Sequence, residues 1–207
     1  MTVVGERLYL ELKGQPCLPM ELIPPPKKSI TTSRSFGTLI DDMQTIGEAV
    51  TYYCNMAATK LRNQKSKAKK IYVGIETNPF QPQLPQRKDG IIITLPVATS
   101  STIEISKYAK IGLKKIYVPG YDYKKAEVRL LDITPNEAIQ LNMFDPEDIK
   151  KRIQEDILME TADNINMVNG RNTVYIAAQG DGVKWWIRQN YKVPCYTTRQ
   201  NDFPIAY

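Results

Sequence analysis

The stretch SITTSRSFGTLIDDMQTIGEAVTYYCNMAATKL, residues 29–61, decides the fold. Ser29 to Phe36 alternates with the period of a strand, and Gly37 is placed to stop it. Asp41 or Asp42 then stands where a helix N-cap belongs. After it Met43, Ile46, Val50, Tyr53, Ala57 and Leu61 recur every three to four residues, the spacing of one helical face. A strand that leads into a long amphipathic helix must bury both apolar faces, so further strands are required.

Working outward, the helix runs into KLRNQKSKAKK, residues 60–70, with six positive side chains and no negative one. IYVGIET (71–77) follows as a second strand with Ile71, Val73 and Ile75 on one face. The proline-rich NPFQPQLPQRKDG is a loop, and GIIITLP (90–96) a third strand. Residues 100–117 read as a second helix with Ile103, Tyr108 or Ile105, Ile111 and Leu113 apolar. A fourth strand, Tyr123 to Ile133, places Ala126, Val128 and Leu130 on one face and Lys125, Glu127 and Arg129 on the other. The order β-α-β-β-α-β predicts an α+β domain, a four-stranded sheet with both helices on one face and the other face open.

On either side of this unit the pattern weakens. LIPPPKK (22–28) is a linker, because its prolines lack amide donors and hold the chain extended. Beyond Pro135 lies a polar connection containing the apolar cluster Leu141, Met143 and Phe144. Helical spacing resumes at Ile149, Ile153, Ile157 and Leu158 and runs to Asn169-Gly170. TVYIAAQG is expected as a short strand, GVKWWIRQN as a helical turn and the remainder as an irregular tail, together a small mixed α/β C-terminal domain. Such a piece is too small for an independent core unless it packs on itself or on a partner.

The 207 residues contain no histidine, which removes Ser-His and Cys-His nucleophile pairs, an imidazole base and imidazole zinc ligands. Cys17, Cys54 and Cys195 are too scattered for a metal knuckle and read as reduced and structural. No run is long and apolar enough to span a bilayer, and the N-terminus lacks a secretory pattern, so a cytoplasmic protein is expected. The formal net charge of +6 is uneven: residues 31–135 carry sixteen Lys/Arg against nine Asp/Glu, residues 136–207 eight against ten. A local positive excess is the footprint of a nucleic-acid surface, with a solvated lysine-rich face as an equal alternative. Gly180-Asp181-Gly182 lacks the further glycine and the lysine of a phosphate-cradling loop and reads as a turn. Asp41-Asp42, Glu147-Asp148 and Glu155-Asp156 read as helix-dipole carboxylates rather than magnesium ligands. Trp185-Trp186 reads as filling a small core rather than stacking on bases. On pattern alone the 141–144 cluster folds onto the sheet or starts the next helix; the other reading is a linear anchor that enters a partner's cleft.

Six segments carry a resemblance: SRSFG (33–37), ETNPF (76–80), YVPGYDYKKAEVRLLD (117–132), QLNMF (140–144), AAQG (177–180) and CYTTR (195–199). In this order and spacing they resemble the C-terminal half of UmuC-type subunits of bacterial error-prone DNA polymerases, members of the Y family, along nearly the whole chain. The resemblance implies a thumb remnant and linker at 1–28, a little-finger DNA-binding domain at 29–135, a connection with a clamp-binding motif at 136–154 and a C-terminal domain at 155–207. It implies that the sheet lies along damaged or primer-template DNA in the major groove. Ser33, Arg34 and Ser35 are the first candidates for contact, then Lys125 and Arg129, then Lys69 and Lys70. Arg34 shares strand parity with Ile30 and Phe36, which leaves its face open. Gln140, Leu141, Asn142, Met143 and Phe144 resemble the motif that docks on the beta sliding clamp, with Met143 in place of the more usual leucine, a volume-conserving exchange. A UmuD-type subunit and RecA are further implied partners, in a bacterial, nucleoid-associated setting. The palm and fingers, whose carboxylates hold magnesium, have no counterpart here, so no catalytic residue, metal or cofactor is expected. The expected role is DNA binding and clamp tethering in SOS-response translesion synthesis; the alternative is a free-standing protein that competes for the clamp or polymerase partners.

Overall fold

The computed structural model describes residues 2–18, 20, 25–136, 149–180, 185–187, 191–199 and 203; QLNMF lies outside the described residues. Helix α1 (Val3–Leu12), capped by Thr2, has no buried residue. Strand β1 spans Ile30–Ile40, α2 Met43–Asn63, β2 Ser66–Thr77, β3 Lys88–Thr99, α3 Thr102–Ile116 and β4 Tyr123–Pro135. The four strands form one sheet in the order β1-β4-β2-β3, every pair antiparallel. This is the expected β-α-β-β-α-β order. Each helix crosses over a strand that joins the sheet later or earlier in the chain, and α2 and α3 pack side by side on one face.

Asp42 caps α2, its carboxylate accepting from the Gln44 and Thr45 amides at 3.3 and 2.8 Å. Of the face predicted for α2, Ile46, Val50, Tyr53, Ala57 and Leu61 are buried and join Ile71, Val73, Ile75, Ala126, Val128 and Leu130 in one core, while Met43 at its start is half-buried. Two strand boundaries and one helix face are among the differences from the sequence pattern. β1 continues past Gly37 because a bulge between Ser35 and Ile40 lets the strand resume pairing, with Ile40 opposite Tyr123. β2 begins at Ser66, so the basic run ends a helix, turns at Lys65 (φ 52°) and enters the sheet, where β4 supplies its hydrogen bonds. On α3 the buried face is Ile105, Ala109, Gly112, Leu113 and Ile116, while Ile103 and Ile111 are exposed. Gly112 lies on that buried face, where a Cβ would collide with the Ile93 δ-methyl of β3.

Beyond β4, helix α4 spans Ile149–Asn169 and ends before Gly170, whose φ of 103° favours glycine. TVYIAAQG is not a strand: it holds only the 3₁₀ turn Ala177–Gln179, because its backbone groups meet no sheet edge. Nor do the tryptophans build a separate core. Trp185 is 2% exposed, with its ring centroid 5.1 and 5.8 Å from those of Tyr52 and Tyr53 on α2, so it completes the core of the preceding unit.

Candidate nucleic-acid interface

The face of the sheet away from α2 and α3 is organised in rows set by register. One row reads Thr31, Arg129, Tyr72, Ile92; the next Ser33, Glu127, Gly74, Gly90; the third Ser35, Lys125, Glu76, Lys88. Lys70 and Thr94 extend the same face at the other end. Side chains two apart on a strand share a face, which is why Lys125, Glu127 and Arg129 line up opposite Ser35, Ser33 and Thr31. Arg129 and Lys125 stand four residues apart, about 13 Å along the strand.

The cations on this face are held by carboxylates. Glu76 accepts from Lys125 at 2.9 Å and from Lys88 at 3.1 Å. Lys70 pairs with Asp132 at 3.1 Å, and Arg129 donates through Nε to Glu127. Partial burial pushes the Glu76 carboxyl up, but the hydrogen bonds from Lys125 and Lys88 outweigh it and hold Glu76 below the usual carboxylate range. The hydrogen bond to Glu127, then its charge, raises the Arg129 guanidinium above its ordinary value. The Lys70–Asp132 pair is exposed on both sides and worth little in itself, whereas the Glu76 and Glu127 carboxylates are half-buried and their cationic partners reach out toward solvent.

Of the predicted contacts, Ser33, Ser35, Lys125 and Arg129 come together on the open face, with Lys70 nearby. Arg34 does not join them. It shares the helix side with Ile30, Thr32 and Phe36, and its guanidinium lies 5.5 Å from the ring centroid of Trp186. Lys69 turns away to donate to the Pro96 carbonyl. Pattern reading missed Tyr72, Lys88 and Thr31. Their place follows from the β2–β3 and β1–β4 registers, for which the only local signal was the alternation of Tyr72 and Gly74 with Ile71 and Val73.

The C-terminal segment covers the opposite side. Asp163 of α4 takes a two-pronged ion pair from Arg62, Nε–Oδ2 2.6 Å and Nη2–Oδ1 2.8 Å, while Arg62 also reaches the Ser100 carbonyl and Thr102 hydroxyl. Lys67 meets Asp156 at 2.9 Å, and Met159 is buried. Farther along the chain, Gln179 and Trp185 pack on α2, and the Gly37 amide donates to the Trp185 carbonyl at 3.4 Å. The C-terminal segment thereby packs on the helix side, chiefly along α2, and the opposite sheet face is left bare among the described residues.

A cavity of about 590 Å³ opens between α2, α3 and the 3₁₀ turn, lined by Glu48, Lys110, Lys114 and Leu113 among others. It is not on the sheet face. Among the described residues no group of three or more His, Cys, Asp or Glu is placed to hold a metal ion, and no helix is long and apolar enough to cross a membrane.

Residues 27–143, the sheet and its two helices included, match the impB/mucB/samB family C-terminal domain. The chain belongs to the impB/mucB/samB family. Residues 156–206 match a second domain, described only as a domain of unknown function (DUF4113). Along 99% of its length the chain is 34% identical to Protein ImpB of Salmonella typhimurium, of which it covers 48%. Protein UmuC of Salmonella typhimurium strain LT2 is 36% identical over 97% of the chain and is 47% covered. The chain thus spans about half the length of the curated relatives it matches. Among solved structures, a Y-family DNA polymerase chimera superposes with a TM-score of 0.43 at 19% identity, covering 64% of this chain and 36% of the chimera.

Proposed function

We propose that this chain is the DNA-holding C-terminal portion of a Y-family, UmuC-type translesion polymerase, and that it binds primer-template duplex through the open face of its sheet. The observation that supports this reading is the asymmetry of cover: the C-terminal segment packs on the helix side, while Lys70, Lys88, Lys125 and Arg129 share the uncovered side. Phosphates of the backbone displace Glu76, Glu127 and Asp132 from these cations, so binding is non-specific in sequence and sensitive to salt. On this reading 29–135 is the DNA-binding unit, 136–154 carries the tether that docks Gln140–Phe144 on the sliding clamp, and 155–207 meets further members of the complex, a UmuD-type subunit or RecA. The chain contributes holding rather than nucleotidyl transfer. Magnesium would be bound by carboxylates elsewhere in the polymerase.

Anisotropy of a labelled primer-template duplex tests the reading. Four phosphate contacts imply a slope of log affinity against log salt near −3.6, hence about 150-fold weaker binding on going from 50 to 200 mM salt. Lys88→Ala with Lys125→Ala reduces the slope by about two. Absence of binding at low salt, or binding indifferent to salt, overturns the proposal. For the tether, Leu141→Ala with Phe144→Ala abolishes calorimetric binding to the clamp; an unchanged affinity removes that part alone.

A further inference from the structure

Resting on the DNA-binding reading above, we infer that Tyr72 is a positioning residue that presents the Arg129 guanidinium to a backbone phosphate of duplex DNA. Tyr72 does not stand up from the sheet. Its ring lies over Gly74 on its own strand and Gly90 on β3, the two glycines being directly paired. A Cβ at Gly74 would come within 2.8 Å of the Tyr72 hydroxyl and 3.0 Å of the ring, and one at Gly90 would overlap the ring outright. Only a pair of residues without side chains leaves room for this pose. Arg129, directly across from Tyr72 on β4, then lies over that ring, its guanidinium carbon 5.1 Å from the centroid.

Two contacts therefore orient one cation. The Tyr72 ring lies against the guanidinium, and Glu127 accepts from its Nε. Neither Nη group has a hydrogen-bond partner among the described residues. A planar fork held by its stem is the arrangement that takes two oxygens of one phosphate. An aromatic ring over glycines also has a plain structural use, covering the bare backbone of a sheet and stabilising it. The two roles separate experimentally, because covering requires only bulk whereas orienting a guanidinium requires a π face.

The test uses the full chain and the labelled primer-template duplex. Tyr72→Phe keeps the ring and is expected to bind DNA as the wild type does. Tyr72→Leu covers the glycines without a π face and is expected to weaken binding about three- to tenfold. It also lowers the salt slope by about one, as Arg129→Ala does. The double variant Tyr72→Leu with Arg129→Ala is expected to be no weaker than Arg129→Ala alone, since both remove one contact. Thermal melts accompany each variant, so that an unfolded protein is recognised, and Tyr72→Met serves if Tyr72→Leu does not fold. Wild-type affinity and slope in a folded Tyr72→Leu, or additive losses in the double variant, overturn the inference even though Lys88 and Lys125 variants still weaken binding. If the wild type binds no duplex at low salt, the DNA-binding reading and this inference fall together.

Discussion

Trp185→Ala should release the end of the chain from α2 while leaving the open sheet face intact. A buried tryptophan removes about 200 Å² from water, worth about 5 kcal/mol at ~25 cal/mol per Å². The alanine methyl retains about 0.8 kcal/mol of this. The Trp185 indole N–H is buried with no hydrogen-bond partner among the described residues, which costs about 1–3 kcal/mol in the folded state and reduces the loss. The balance is about 2 kcal/mol, or roughly thirtyfold in the docking equilibrium. Hydrogen exchange reads this directly, because the Gly37 amide donates to the Trp185 carbonyl and should lose protection. Helix α4 should stay in place, since Arg62 and Asp163 hold it independently. Trp185→Phe keeps the aromatic contacts with Tyr52 and Tyr53 and removes an N–H that has no partner among the described residues, so it should cost far less. Duplex affinity should be unchanged in both. Unaltered exchange at Gly37 in Trp185→Ala, or equal losses in the two variants, would refute the assignment of Trp185 as the anchor.

Other consequences follow from single contacts. Glu76 has a folded-state pKa below its ordinary value, so its contribution is complete above about pH 4.3 and disappears as pH falls through the lower folded value. Glu76→Gln should therefore melt below the wild type near neutrality, and the gap should close on acidification; a gap that widens in acid would contradict this. Arg62→Ala leaves Asp163 at the α2–α4 contact without its bidentate partner and should cost about 3 kcal/mol, read as faster proteolysis within α4. Gly112→Ala gains about 1 kcal/mol of helix propensity but forces a methyl against Ile93, at about 1–3 kcal/mol. A net loss in chemical denaturation is expected, and a stabilised protein would show that α3 can shift outward.

What the amino-acid order determined was the set of elements and their inward faces. Strand and helix periods are local properties of the chain, so the α2 face from Ile46 to Leu61 and the β4 alternation of Ala126, Val128 and Leu130 with Lys125, Glu127 and Arg129 could be read directly. The outcome at Arg34 was different. Its parity put it with Ile30 and Phe36, but which neighbour it met depended on Trp186, about 150 positions away in the chain. Likewise TVYIAAQG has the composition of a strand and lacks an edge to join, and α3 turned Ile105 rather than Ile103 inward, with Gly112 on the side that meets Ile93 of β3. Tyr72 became part of the candidate interface only through the register that placed Gly90 opposite Gly74. Periodicity specifies which side of an element is apolar. Only the pairing of distant segments decides what lies across from it, because register and docking are settled by packing between residues that the chain keeps far apart.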